Sequence, residues 1–388
     1  MLRQPDTQLL AYLEAGVPDP RHKRGQRYEW RFLLAMICVA LLSGQKTVRG
    51  IVHWMVLHAA DIIECLQLTR TRLPSASTIY RALRTVAVEA LERQIATYGQ
   101  GVDEADLSSG RVRGPTGEVL RGQAVDGKDI RGARAHGAPV FLVSVVRHGS
   151  GVILGEQCVA HKTNEITAVP SLLAGRDLRG TVTTLDALLT QRNIARQVLN
   201  QQGDYVMVVK RNQPQVWDAI DTLFHASPLP RGEEDCLTYS ETCKGHGRLE
   251  TRTLTSSAAL NTYLDWPGVQ QVFRRVCRRV ERTTGEVSEE TTYGLTSLSR
   301  ARALPQHLEA FCRGHWTIEN RDHYVRDETL GEDRGQIHTG HAPHALAALR
   351  NGILNVLRHQ GWLNIADALR HYAASVPKAL ALIGARAT

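Results

Sequence analysis

The chain has 388 residues, 43% of them hydrophobic, and its 47 Lys and Arg exceed its 39 Asp and Glu by eight. The length suggests two or three domains with real cores, and the basic balance favours a polyanionic partner. Seven scattered cysteines without a C-x-x-C pair exclude a disulfide framework or zinc ribbon, and the longest apolar run, Phe32–Leu42, is 11 residues, too short to span a bilayer.

Residues 1 to about 105 carry apolar side chains at three- and four-residue steps, which predicts a helical region. Phe32–Leu42 reads as a buried helix. After Pro74, Ser75 or Ser77 is placed to cap a helix that turns Ile79, Leu83 and Val86 inward and carries Tyr80, Arg81 and Arg84. That suits either the reader helix of a helix-turn-helix or an ordinary bundle. Residues 106–119, rich in Gly, Ser, Pro and charge, read as a linker. From about 120 the period changes to that of strands. Gln123–Gly127, Val140–Val146 and Gly151–Val159 form an expected antiparallel meander. A helix follows over Asn164–Leu173, then a strand (Thr181–Leu185), a helix (Gln191–Asn200), a strand (Tyr205–Val209) and a helix (Gln215–Phe224). A meander followed by alternating strands and helices implies an α/β (α+β) fold, a ribonuclease-H-like mixed sheet flanked by helices. Between about 226 and 300, strand-like stretches at Glu250–Leu254, Gln270–Glu281 and Thr291–Leu295 predict a β-rich insertion. The tail from Leu304 is helical again, so 120–388 reads as one catalytic domain.

Two acids stand at strand ends in topological slots that would be neighbours. Asp126 precedes Gly127, and Asp186 follows Thr181–Leu185. Metal-assisted phosphoryl transfer uses Mg²⁺ ions on the attacking and leaving oxygens, and such hard ions take carboxylates held close by rigid elements. A third acid should come from a late helix, where pattern alone leaves Glu319, Asp322, Asp327, Glu328, Glu332 and Asp333 as rivals.

The order of several short motifs resembles a known family. Ala124-Val-Asp-Gly-Lys-Asp-Ile-Arg-Gly132, Lys162-Thr-Asn-Glu-Ile166, Thr184-Leu-Asp-Ala-Leu188 with Gln191, Gly203-Asp-Tyr-Val206 and Lys210-Arg-Asn-Gln213 follow one another. Lys244-Gly-His-Gly-Arg-Leu-Glu-Thr-Arg252, Trp266-Pro-Gly268 and Arg313-Gly-His-Trp-Thr-Ile-Glu-Asn320 come after them. Together they are similar to the H-repeat-associated insertion-sequence transposases of the DDE superfamily. The resemblance runs from Asp19-Pro-Arg-His-Lys-Arg-Gly25 almost to the C-terminus. It implies a catalytic and metal-binding triad of Asp126, Asp186 and Glu319 and a cofactor of Mg²⁺ or Mn²⁺, with two ions expected. It also implies a bacterial cytoplasmic, nucleoid-associated protein. Asp322 and Glu328 depart from the family by standing where apolar residues are usual.

If the stretch around Glu319 is α-helical, His315, Asp322, His323 and Arg326 share its face. Candidate DNA contacts are Lys128 and Arg131 beside the first acid, Lys210, Arg211 and Asn212 at a strand end, Lys244, His246 and Arg248 in a glycine turn, and Arg326. Arg274, Arg275, Arg278, Arg279 and Arg282 suggest a basic ribbon, and Arg21–Arg27 a similar cluster. His338, His341 and His344 lack a fourth ligand at zinc-like spacing. No phosphate-binding glycine loop is present, and no Ser or Tyr nucleophile is marked by its context. The expected function is metal-dependent cleavage and strand transfer on element ends and target DNA by a homo-oligomer, with no membrane partner. A stand-alone nuclease and a silent transposase-derived DNA-binding protein are the alternatives.

Overall fold

A computed structural model describes residues 8–132, 140–159, 165–225, 235–245, 247–335 and 337–385. The first half of the helical region holds α1 (Leu9–Gly16), α2 (Trp30–Leu42), α3 (Val48–Leu57), α4 (Ala59–Cys65), α5 (Ala76–Thr85) and α6 (Val88–Ala105). Then come β1 (Arg111–Arg113), β2 (Val119–Ile130), β3 (Val140–Arg147), β4 (Ile153–Val159), α7 (Glu165–Leu173), β5 (Thr181–Leu185), α8 (Arg192–Asn200), β6 (Asp204–Val209) and α9 (Pro214–His225). Four strands follow, β7 (Cys236–Gly245), β8 (Arg248–Ser257), β9 (Gln271–Glu281) and β10 (Val287–Thr296). The last helices are α10 (Pro305–Thr317), α11 (Ala342–His359), α12 (Ile365–Ala373) and α13 (Val376–Ile383). The chain is a mixed α/β protein with a helical N-terminal region and a large mixed sheet. Its order, an antiparallel hairpin followed by parallel strands with helices between, is the ribonuclease-H-like one expected.

Two compact units partition it, the first from Met1–Leu107, Gly127–Glu165 and Ile318–Thr388, the second from Ser108–Asp126 and Ile166–Thr317. In the first unit, α2 is apolar on every side, and 10 of its 13 residues are buried, as an all-round apolar helix must be. On α5, Ile79 and Leu83 face inward, as does Val86 just after it, while Arg81 and Arg84 remain exposed. Helix α6 approaches β4 so closely that a Cβ on Gly99 would lie 2.1 Å from the Ile153 carbonyl oxygen. Asn355 of α11 brackets Ile153 as a strand would, accepting from its N–H and donating to its carbonyl, both at 2.8 Å.

In the second unit, β2 pairs in parallel with β5, and β5 with β6. The sheet continues antiparallel through β10, β9, β8 and β7. The β-rich insertion is therefore an extension of the sheet, joined at β6, and it has a strand, β7, that the sequence reading did not contain. The expected linker contains β1, which pairs with β2. Helix α10 lies on the sheet over Val182, Val206, Leu254 and Phe273, with Leu308 and Phe311 completing that core.

Candidate active site

The register of two parallel strands sets the acid pair. Val125 on β2 is the partner of Leu185 on β5, the last pair of the register, so Asp126, still on β2, and Asp186, the first residue past β5, each follow it directly. Neighbouring strands lie about 4.8 Å apart. Both acids are half-buried, beside the fully buried Ala124, Val125 and Leu185.

Asp186 opens a turn that the sequence stabilises from several sides. Its Oδ1 accepts the Leu189 N–H at 2.9 Å, and its carbonyl accepts the Thr190 hydroxyl at 2.8 Å. Asn212 donates to the Ala187 carbonyl at 2.6 Å and Gln213 to the Thr190 carbonyl at 3.0 Å. Asn212, expected at DNA, is thus committed to holding the turn that carries Asp186. Lys210 and Arg211 beside it are exposed, and the Arg211 guanidinium stacks 4.3 Å from the Trp217 ring centroid.

His315, near the end of α10 and expected beside Glu319, has a strand partner that nothing local in the sequence indicates. Its Nδ1 lies 2.9 Å from the Thr184 hydroxyl, which itself donates to the Gln123 carbonyl at 3.2 Å. A hydroxyl has one proton, so Nδ1–H donates to Thr184 and the lone pair sits on Nε2. Burial holds this imidazole below its ordinary pKa, against the opposing pull of Asp186. A neutral acceptor therefore stands near the second acid.

The first unit treats its acids differently. Glu319 is exposed, four residues beyond His315, in a π-helical turn at Ile318–His323 that is followed by another at Val325–Thr329. The expected shared face does not form. A π-helix bonds i to i+5 and is wider than an α-helix, so residues three and seven places on rotate away. Asp322 and Arg326 are fully buried instead. Arg326, expected at DNA, is an internal hub whose guanidinium bonds Glu156 and, at 2.9 Å, Glu332. Arg350 binds the other oxygen of Glu332 at 3.2 Å. Burial raises the pKa of Asp322, and neither of its carboxylate oxygens makes a hydrogen bond among the described residues. Burial also drives His323 down to about 3, so it is neutral. Lys128 is a further correction: it is buried against Asp327, and its charge is used inside the protein rather than offered to a phosphate. Arg131 is exposed, 3.8 Å from Asp333.

Elsewhere two of the five arginines of the expected basic ribbon are paired with acids. Arg275 forms a two-pronged pair with Glu309, and Arg279 meets Glu250 and Glu290. Arg278 and Arg282 are exposed. Lys244 and Arg248 flank the β7–β8 turn, where Gly247 has φ +77°, a conformation that favours glycine. His246 lies outside the described residues, as do Lys162, Thr163 and Asn164. Glu165, the acid of that same motif, is buried, and a Cβ on Gly127 would sit 2.3 Å from its carboxyl carbon. The absence of a side chain directly after Asp126 is the one sequence signal that could have marked it.

Two carboxylates in register, with one Asp186 oxygen bound to a backbone N–H, suit a hard divalent cation. Among the described residues, no three His, Cys, Asp or Glu side chains are gathered closely enough to hold a metal ion. His344 instead meets Glu92 at 2.5 Å. No helix among the described residues is long and apolar enough to cross a membrane.

Residues 118–356 match the family described as transposase DDE domain, and residues 11–98 match its DDE_Tnp_1-associated region. The "Putative transposase YncI" of Escherichia coli O157:H7 is 28% identical over 293 residues, covering 74% of this chain and 71% of its own. The "H repeat-associated putative transposase YhhI" of Escherichia coli is 29% identical over 242 residues, 60% of this chain and 63% of that one. A solved piggyBac transposase synaptic complex with hairpin DNA covers 98% of this chain and 78% of its own at 10% identity, with a TM-score of 0.44, too weak a likeness to add to the assignment. With the DDE domain match spanning well over half its length, the chain belongs to the DDE transposase family.

Proposed function

We propose that this chain cuts and joins DNA strands as the transposase of an insertion sequence, at a divalent-metal site held by Asp126, Asp186 and Glu319. The observation that supports the reading is the β2–β5 register, whose last pair, Val125 and Leu185, is followed on each chain segment by one of the two acids. Mg²⁺ or Mn²⁺, as two ions, would supply activation of an attacking oxygen and charge stabilisation on the attacking and leaving oxygens. Asp126 and Asp186 offer the shared anionic oxygens. Glu319, the third acid of the proposed set, is exposed just past α10, four residues beyond His315. His315 orients Thr184 and keeps a neutral acceptor beside Asp186.

The exposed Lys210, Arg211, Lys244 and Arg248 grip the phosphate backbone, which positions a strand without reading its sequence. The helical N-terminal region recognises element ends, and residues 120–388 act as the catalytic domain. Cutting two ends in one event calls for a homo-oligomer. The experiment is cleavage and strand transfer on DNA carrying the candidate ends, with Mg²⁺ or Mn²⁺, by the wild-type chain and by Asp186→Asn. The variant should lose both steps and keep DNA binding; undiminished cleavage would refute the assignment.

A further inference from the structure

The N-terminal helical region carries a cleft of about 700 Å³ that none of the roles above uses. It opens between the segment Asp19–Phe32 and the turn Leu66–Leu73. Its chemistry is two-sided. Arg27, Arg70 and Arg72 stand exposed at its rim, while Tyr28 and Trp30 form a half-buried aromatic wall. Tyr28 stacks on Phe32, with centroids 6.1 Å apart and planes 26° from parallel, so the wall is a braced surface.

The two sides are tied together. The Tyr28 hydroxyl donates to the carbonyls of Arg72 and Leu73 at 3.1 and 3.0 Å, and Arg70 donates to the Arg27 carbonyl at 2.7 Å. Beneath them lies Arg21, whose side chain is only 8% exposed. Its Nε and Nη2 are occupied by Asp19, and Nη2 also reaches the Tyr28 carbonyl at 2.6 Å. Its Nη1 is buried and has no hydrogen-bond partner among the described residues. A charged donor left without an acceptor is costly unless a ligand supplies one. Asp19 is already consumed by Arg21, which leaves Glu29 as the other acid among the cleft's residues, against three rim guanidiniums.

We propose that this cleft takes one unpaired nucleotide of a DNA strand, with its base against Tyr28 and Trp30, its phosphates on Arg27, Arg70 and Arg72, and an acceptor atom on Arg21 Nη1. Aromatic faces beside guanidiniums are the combination that holds an unstacked base and its backbone together. A bare phosphate would leave the aromatic wall unused. An acidic peptide would leave it without a planar partner. The inference rests on the proposed action on DNA, and it adds that the helical region holds a strand by a displaced nucleotide as well as by charge.

The test titrates the full chain into labelled short duplexes and reads anisotropy. One duplex is fully paired, one carries a single unpaired adenine, and one has an abasic residue at that place. The unpaired adenine should bind roughly tenfold more tightly than the abasic duplex. Trp30→Leu should erase that preference. Arg27→Ala with Arg72→Ala, at exposed positions whose side chains do not tie the cleft together, should weaken binding of the adenine duplex about tenfold. Equal binding of adenine and abasic duplexes overturns the proposal and leaves DNA binding intact. Failure to bind any duplex overturns both this proposal and the function it rests on. A gain seen with free deoxyadenosine monophosphate alone, lost in the arginine variant, identifies a free nucleotide as the occupant and overturns the strand.

Discussion

Two groups of acids in this molecule have opposite fates. In the first unit Glu156 and Glu332 are essentially buried against Arg326 and spend their charge on its guanidinium, with the buried Asp322 3.7 Å from it. In the second unit Asp126 and Asp186 lie half-buried at the end of a parallel strand pair, where Asp186 accepts a backbone N–H and acts electrostatically on the buried His315. Taking charges out of water is expensive, and a buried group is tolerated only when its partners are near. Acids matched with arginines therefore hold structure together. Asp126 and Asp186 are instead acids that the proposed function assigns to a cation.

The largest expected effect tests that division directly. Asp126→Asn or Asp186→Asn should lower strand cleavage by about 10³-fold or more, as expected for losing several kcal/mol of metal-borne stabilisation, with urea unfolding almost unchanged. Arg326→Ala should do the reverse. Removing one partner of a buried ionic cluster costs about 3–5 kcal/mol, and an unfolding midpoint close to wild type would dissolve the contrast.

A pH series sharpens it further. Burial pulls His344 down, but hydrogen bonds to Cys158 and Glu92 push it up to about 10, while burial raises Glu92. A histidine whose folded pKa lies above its ordinary 6.5 stabilises fully below that value and loses the effect as pH rises toward 10. The stability gap between wild type and His344→Gln should therefore be widest near pH 6 and shrink steadily to pH 10. A gap that does not change with pH would place the contribution of His344 in packing. The smallest change should come from Lys244→Ala with Arg248→Ala. It should weaken all DNA sequences alike and flatten the salt dependence by about two units of slope.

Local periodicity made most elements legible. Thr181–Leu185 is a strand with all five residues buried, and α2 is buried as its apolar run requires. Strand β7 escaped because it is wet on both faces, with no residue fully buried and so no apolar alternation to detect. The misplaced charges have two causes. Arg326 was put on an exposed face by counting in α-helical steps where the backbone widens to a π-helix. Lys128, Arg275 and Arg279 look like free charges in the sequence, and only packing shows what they bind.

By itself the sequence determined the order of elements, the two strand-end acids and the motif series that marks the family, because each is written in neighbouring residues. The tertiary structure alone decided which charges are used up. Lys128 finds Asp327 across 199 residues, and Arg326 finds Glu156 across 170. Whether a charged side chain faces water or pays for its burial with a partner depends on desolvation, and that is set by what the folded chain packs against it.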